Sequence, residues 1–202
     1  MVVDAATGYP LTDPIARIHG NIQPDYLASL TNTFTYKGIS LSFLLDAKKG
    51  GVFYSRTMSL QEFVGTDPRT LYNNREPFVV PNSVIETSDG KFEPNTTPTL
   101  DAQDYWTNYS SNNSIGQLID ASFLKLREVS VSYRIPKQWI QNWPMSAIIV
   151  GVSGRNLLLW TPSENTYADP ETSSFGSGNV QGFEYGTVPS IRSYGANLKV
   201  IF

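Results

Sequence analysis

The chain has 202 residues, a formal net charge of −3 at pH 7, a single histidine and no cysteine. Without cysteine it has no disulfide and no thiolate chemistry, and without a basic stripe it is not expected to bind nucleic acid. The mean hydropathy of −0.23 resembles that of a soluble protein, and no apolar run approaches the roughly 18 residues that a membrane-spanning helix needs. Transmembrane β-strands do not need such an apolar run, because every second residue of such a strand can be polar.

Two strands are predicted after an irregular segment that covers residues 1–26. Residues 27–36 and 39–47 both alternate between apolar and polar side chains, and the second does so more cleanly. The apolar positions are Leu30, Phe34 and Tyr36 in the first strand and Ile39, Leu41, Phe43, Leu45 and Ala47 in the second. Lys37 and Gly38 lie between the strands and predict a tight antiparallel hairpin.

Three more strands are predicted further along the chain, at residues 122–135, 146–160 and 189–202. The alternation blurs near 124–127, which indicates a β-bulge. Residues 48–121 and 161–188 are rich in Gly, Pro, Asn and Ser, so they are predicted as long loops, the first with a short helix over 59–64.

The terminal strand has two faces of different polarity, because successive side chains of a strand point to opposite sides. One face carries Tyr194, Ala196, Leu198, Val200 and Phe202, and the other carries Ser193, Gly195, Asn197 and Lys199. One face suits lipid and the other suits water. This pattern is typical of an outer-membrane barrel strand.

The order of the connections supports the same interpretation. Short and long connections alternate, so both long loops fall at one end of the sheet, as in membrane barrels, whereas a soluble β-sandwich usually has modest turns at both ends. Aromatic residues are predicted to form two girdles. The short-turn end carries Tyr36, Tyr133, Trp139, Trp143 and Phe202, and the long-loop end carries Phe53, Tyr54, Phe123 and Trp160.

Seven segments carry a family resemblance: Asp4–Pro10, Gly20–Tyr26, Thr31–Gly38, Ser42–Gly51, Ala121–Tyr133, Ser153–Leu157 and the terminal strand. In this order and spacing they resemble the C-terminal part of SusC/RagA-type TonB-dependent outer-membrane transporters of Bacteroidetes. The resemblance covers nearly the whole chain. It implies an all-β fold in which an antiparallel meander of about five strands forms the C-terminal portion of a large transmembrane β-barrel, with long extracellular loops at 48–121 and 161–188.

The resemblance also implies how the whole protein works. The family has a barrel of about 22 strands that is occluded by an amino-terminal plug. The plug, the segment that contacts TonB and most strands are expected to lie outside this chain. The implied partners are a SusD-like surface lipoprotein, the TonB complex, outer-membrane lipids and an oligosaccharide or peptide substrate. Gly195, Leu198, Val200 and Phe202 are similar to the signal that the barrel-assembly machinery recognises.

Aromatic residues in the predicted extracellular loops are candidates for contacts with a ligand or with the lid lipoprotein, and packing within the loops is the alternative. They are Tyr105, Trp106, Tyr109, Phe175, Phe183 and Tyr185. The acidic residues could act as paired carboxylates or calcium ligands, but no spacing matches a calcium loop, so they are expected in solvated loops: Asp101, Asp104, Glu164, Asp169 and Glu171. His19 is the only histidine and is expected to be a loop residue, because no partners for an acid or metal role can be named. No cofactor or metal site is predicted.

Three functions are compatible with these features. The leading hypothesis is the barrel wall of a TonB-dependent nutrient importer in the bacterial outer membrane, without catalytic chemistry, and the alternative is a soluble β-sandwich that binds carbohydrate. An enzyme such as a glycoside hydrolase ranks third, because no convergent pair of acids can be placed on strands. The barrel wall and the sandwich differ in what covers the apolar face of the sheet. In a barrel it is lipid, and in a sandwich it is a second layer of the same chain.

Overall fold

The computed structural model describes residues 1–176, 178 and 180–202, so Ser177 and Asn179 of the predicted loop 161–188 lie outside the described residues. The chain divides into two compact units. The loop unit comprises Met1–Gly20, Phe53–Ile119 and Ser173–Thr187, and the sheet unit comprises Asn21–Val52, Asp120–Thr172 and Val188–Phe202.

Most regular elements are strands. They are β1 (Val2–Val3), β2 (Tyr26–Tyr36), β3 (Ile39–Lys49), β4 (Val52–Ser55), β5 (Val84–Glu86), β6 (Phe92–Pro94), β7 (Leu118–Asp120), β8 (Phe123–Arg134), β9 (Ala147–Trp160), β10 (Phe183–Glu184) and β11 (Ser193–Ile201). The helices are α1 (Arg56–Phe63), a 3-10 helix (Pro68–Arg75), α2 (Ala102–Asp104), a π-helix (Tyr105–Ser110) and a second 3-10 helix (Lys137–Trp139). None of the helices in the described ranges has the length and apolar character needed to cross a membrane.

The sheet unit contains one antiparallel sheet of five strands in the order β11-β9-β8-β3-β2. Strands that follow one another in this unit are neighbours in the sheet, which makes it a meander. Lys37 and Gly38 connect β2 to β3 with φ angles of 47° and 85°, and positive φ at both central residues is characteristic of the tight hairpin turn. The predicted fold class is confirmed.

The register of the sheet separates apolar from polar side chains across all five strands, because directly paired residues share a face. One row of paired residues consists of Phe34, Leu41, Val131, Val152 and Ala196. The adjacent row, on the other face, consists of Thr33, Ser42, Ser130, Ser153 and Gly195. Phe34 is 57% exposed and Leu41 is 37% exposed, so no second layer of the described chain covers the apolar face.

A bulge interrupts this register at Arg127. Leu44 pairs with Glu128 and the next residue of β3, Leu45, pairs with Leu126, so that Arg127 is the extra residue of β8. The register between β8 and β9 also shifts between Leu126 and Glu128. The bulge accounts for the blurred alternation in the sequence, and it keeps the apolar side chains on one face along the whole strand.

The loop unit is more structured than the sequence predicts. Its sheets are β1-β5-β6 and β10-β4-β7, and its core cluster consists of Tyr9, Phe78, Val80, Ala102 and Tyr105. The helix predicted over 59–64 begins earlier, as α1, because the Ser55 side chain accepts a hydrogen bond from the Met58 amide and caps the helix. The buried side of α1 includes Ser59 and Glu62, so its hydrophobic periodicity is weak in the sequence.

Two aromatic residues differ from the predicted girdle at the long-loop end. Phe53 is buried in the loop unit, where β4 is the central strand of its sheet. Phe123 is buried in the sheet unit, because it pairs with Lys48 and the charged ends of Lys125 and Arg127 lie over its ring. Burial excludes both rings from contact with lipid.

Candidate functional site

Five charged side chains form an ion network in the sheet unit: Asp46, Lys125, Arg127, Asp169 and Glu171. Lys125 Nζ donates to both carboxylate oxygens of Asp169 at 2.7 Å and also to Glu171. Arg127 donates from Nε to Asp46 at 2.9 Å and from Nη2 to Glu171 at 2.5 Å. Lys125 lies opposite Asp46 in the register of the polar face. The bulge brings Arg127 to the Asp46 carboxylate.

The ion network attaches the segment 161–172 to strand β8. The sequence predicts Asp169 in a solvated loop, and this is wrong, because Asp169 is 8% exposed and Lys125 is 6% exposed. Burial alone would raise the pKa of Asp169, yet the hydrogen bonds from Lys125 and from the Glu171 amide hold this pKa below its ordinary value. The carboxylate is therefore ionised and fixed in place.

An aromatic patch lies on the loop unit and consists of Tyr54, Phe175, Phe183 and Tyr185. The ring centres of Phe175 and Tyr185 are 5.6 Å apart, and those of Tyr54 and Tyr185 are 5.7 Å apart. Phe183 is 38% exposed and Tyr185 is 50% exposed. Exposed rings that already contact one another present apolar area at little further cost in side-chain entropy.

Glu184 fixes the aromatic patch from beneath. Its side chain is 1% exposed and accepts hydrogen bonds from Ser55 Oγ at 2.8 Å, Thr57 Oγ1 at 2.7 Å and the Thr187 amide at 2.9 Å. Burial would raise its pKa, but these bonds and the Thr57 amide lower the pKa below its ordinary value. Because side chains alternate along β10, burial of Glu184 directs its neighbours Phe183 and Tyr185 outward.

The other three aromatic residues predicted as loop contacts are Tyr105, Trp106 and Tyr109. They pack in the interior of the loop unit and differ in how far they are buried. Tyr105 is 8% exposed and its ring packs edge-on against Phe78 at 5.0 Å, so it offers little surface to a ligand. Trp106 and Tyr109 are half-buried against the same core cluster. Tyr109 stacks on Tyr9 with ring centres 4.3 Å apart.

The residues of the predicted assembly signal lie on β11 or directly after it. Leu198 pairs with Val150 and Val200 pairs with Ile148, both on the apolar face, and Phe202 is exposed. Gly195 lies on the polar face opposite Ser153. The structure thus places Gly195 on a different face from Leu198 and Val200.

The remaining candidates from the sequence are dispersed. His19 is exposed, and the side chain of Asp101 caps α2 by accepting from the Asp104 amide at 2.9 Å. No group of three or more metal-ligating side chains occurs within the described residues.

Sequence reasoning missed the functions of Lys125 and Glu184. The partners of Lys125 are 44 and 46 residues away, and no local pattern reports such a separation. For Glu184 the sequence contains a weak signal. It lies between two aromatic residues, and alternation along a strand predicts that its side chain faces away from those of Phe183 and Tyr185.

We expect Lys125→Met to release the segment 161–172, because removing the cation leaves the buried carboxylate of Asp169 uncompensated. Breaking a buried ion pair in this way costs about 3–5 kcal/mol. Hydrogen exchange of peptides from residues 161–172 of the full-length protein should accelerate. Lys199→Met removes an exposed cation from β11 and serves as the control, and unchanged exchange in Lys125→Met would contradict the attachment.

The same attachment should depend on pH. Because the pKa of Asp169 is lower in the folded protein than its ordinary value of 3.8, its contribution to stability is complete above that value and is lost as pH falls through the folded pKa. Exchange of residues 161–172, corrected for the intrinsic pH dependence, should therefore rise only in this acidic range. A transition near neutral pH would show that another group controls the segment.

Comparison with known proteins gives sequence relatives and structural neighbours, although no family model matches the chain. Two curated proteins of Formosa agariphila, TonB-dependent receptor P26 and TonB-dependent receptor P3, are 28% identical over 193 residues and 21% identical over 202 residues. These alignments cover 93% and 91% of this chain but 18% and 17% of the relatives. The chain therefore spans less than a fifth of the length of these relatives.

The fold is shared with solved structures of a transporter. The RagAB peptide importer in its open-open state matches with a TM-score of 0.62 and 20% identity, over 99% of this chain and 21% of that chain. The closed-closed state matches with a TM-score of 0.61 and 19% identity, over 91% and 18%. Together these findings confirm the resemblance predicted from the sequence: the chain is similar to SusC/RagA-type TonB-dependent transporters, and its antiparallel sheet is consistent with a C-terminal portion of their β-barrel.

Proposed function

We propose that the full-length protein is a TonB-dependent importer of the bacterial outer membrane and that this chain supplies part of its barrel wall. The observation that carries the proposal is the exposed apolar face, which continues across all five strands of the sheet unit. An apolar surface of this extent is unstable in water and stable against hydrocarbon. The polar rows on the other face then line an aqueous lumen.

The exposed aromatic residues support this orientation. Tyr26 and Trp160 lie at the end of the sheet from which the long connections leave. At the opposite end, the exposed rings belong to Tyr36, Trp139, Trp143 and Phe202. Amphipathic rings favour the two interfaces of a bilayer, so we place the first end of the sheet on the extracellular side.

The partners follow from the same proposal. The similarity to RagAB structures supports a two-component importer, in which a SusD-like lipoprotein closes over the extracellular loops. TonB would act through segments outside this chain. The family resemblance favours an oligosaccharide as the substrate, and the naming of RagAB as a peptide importer favours a peptide as the second candidate.

The alternatives have less support. A soluble β-sandwich requires a second layer over the apolar face, and Phe34, Leu41 and Val152 are exposed instead. The relatives are named as receptors and importers, which fits a chain without a catalytic function.

Substitutions on the two faces of β3 test the proposal. In the full-length protein we expect Leu41→Arg to impair assembly, because arginine on the lipid face near the bilayer midplane costs about 2–4 kcal/mol. Ser42→Arg is the matched control, since its side chain points to the wet lumen. The measurement is the amount of heat-modifiable, folded protein in outer-membrane fractions, and equal effects of the two substitutions would contradict the orientation.

The terminal strand tests the assembly signal that we propose for Gly195, Leu198, Val200 and Phe202. Phe202→Ser should lower the outer-membrane level of the full-length protein, because the barrel-assembly machinery would bind the strand less well. Ser193→Thr changes the same strand outside the signal and should have no effect. Immunoblots of membrane fractions give the readout, and an unchanged level in Phe202→Ser would exclude the signal.

The aromatic patch is the surface that we propose for the lid lipoprotein. Phe183→Ala combined with Tyr185→Ala should weaken retention of a co-expressed SusD-like lipoprotein by about tenfold or more, because exposed aromatic anchors dominate interfaces. Phe92→Ala removes an exposed ring of the loop unit outside the patch and is the control. Co-purification from detergent gives the measurement, and retention equal to wild type would place the contact elsewhere.

A further inference from the structure

A cavity of about 410 Å³ lies in the sheet unit, and its lining includes Tyr26, Ala47, Lys49, Leu124 and Trp160. Tyr26 pairs with Lys49 across β2 and β3. Leu124 pairs with Ala47 on one side and with Trp160 on the other. Because paired residues share a face, as do residues two apart in a strand, all five side chains lie on the apolar face. Four neighbouring strands therefore build the cavity at the end of the sheet that we place on the extracellular side.

The cavity contains a cation without a countercharge. Lys49 is exposed, and the ion pairs of the sheet unit leave it without a carboxylate partner among the described residues. The Asp25 amide donates to the Lys49 carbonyl oxygen at 2.8 Å, but the Asp25 carboxylate lies against Gly50. A lysine in this position can pair with a phosphate while its aliphatic stem covers apolar surface.

The other lining residues suit the boundary between water and hydrocarbon. Trp160 is 49% exposed and Tyr26 is 58% exposed, and rings of these two types favour the headgroup level of a bilayer. Ala47 and Leu124 lie two residues further from the end of the sheet than Lys49 and Tyr26. The small side chain of Ala47 leaves room beside Leu124 for an acyl chain, so the cavity is charged and aromatic near its outer edge and apolar further in.

From these contacts we infer that the cavity binds a phosphorylated glycolipid of the outer leaflet. The phosphate fits the ammonium group of Lys49, the sugar of the headgroup fits the rings of Tyr26 and Trp160, and an acyl chain fits Ala47 and Leu124. The inference rests on the proposed function, which puts this end of the sheet at the extracellular surface of the outer membrane. A zwitterionic phospholipid would bring its own ammonium group to Lys49 and is expected to bind less well.

Native mass spectrometry of the purified full-length protein in detergent tests the inference with lipid A as the probe. We expect saturable binding, and about fivefold weaker binding of dephosphorylated lipid A, a factor that corresponds to about 1 kcal/mol for one cation near an anionic surface. Phosphatidylethanolamine should bind no more tightly than dephosphorylated lipid A. Inorganic phosphate should not compete at equal concentration, because it has no acyl chain to contact the apolar part of the cavity.

Two variants locate the site, and a third is their control. Lys49→Met keeps the apolar stem and removes the charge, so it should weaken lipid A about fivefold and remove the preference for the phosphorylated form. Ala47→Phe fills the cavity and keeps the charge, and it should weaken lipid A by a similar factor. Lys37→Met removes a cation that lies over the Tyr36 ring at the opposite end of the sheet, and it should bind like wild type. Heat-modifiable migration shows that each variant is folded.

Several results would overturn the inference: equal binding of phosphorylated and dephosphorylated lipid A, tighter binding of phosphatidylethanolamine, competition by inorganic phosphate, full affinity in both cavity variants, or an equal loss in Lys37→Met. Binding is measured apart from transport. Lipid A binding that depends on Lys49, in a membrane protein that imports no nutrient, would contradict the proposed import and leave the lipid site standing. Import by a protein whose lipid A binding ignores both cavity variants would do the opposite.

Discussion

The sheet unit depends on one constraint, which is that a single layer of strands has two faces that require different surroundings. Pairing aligns Phe34, Leu41, Val131, Val152 and Ala196 in one row, and no second layer of the described chain covers that row. The outer strands β2 and β11 also leave backbone groups that need partners. A barrel in a bilayer meets both requirements, since hydrocarbon covers the apolar face and further strands close the edges.

The interior of the loop unit combines an apolar core cluster with buried polar networks. Glu184 is satisfied by hydroxyl and amide donors, and the buried Glu62 accepts from Ser110 and Gln117 and pairs with Arg69. Such networks, when every member is satisfied, specify one arrangement of a long connection. They explain how the loop unit can hold exposed rings in fixed positions.

The parts that sequence reasoning predicted are those in which the signal is local and repeated. Alternation in residues 39–47 fixes both the strand and its facing, and the blurred alternation near Arg127 indicates the bulge. In the loop unit the sequence predicts helix α1 only approximately, because α1 buries Ser59 and Glu62 and lacks an apolar stripe. Asp169 and Phe123 lie in surroundings that differ from the prediction. Asp169 contacts a lysine 44 residues away, and Phe123 is covered by Lys125 and Arg127 of its own strand.

The extra residue at Arg127 could be lost without changing the pairing of β8 with β3. Without Arg127, Glu128 would directly follow Leu126 in regular alternation. Both residues would keep their partners on β3, which are Leu44 for Glu128 and Leu45 for Leu126. Loss of Arg127 would therefore change the charge on the polar face of the sheet, while the apolar side chains of β8 would stay opposite the apolar side chains of β3.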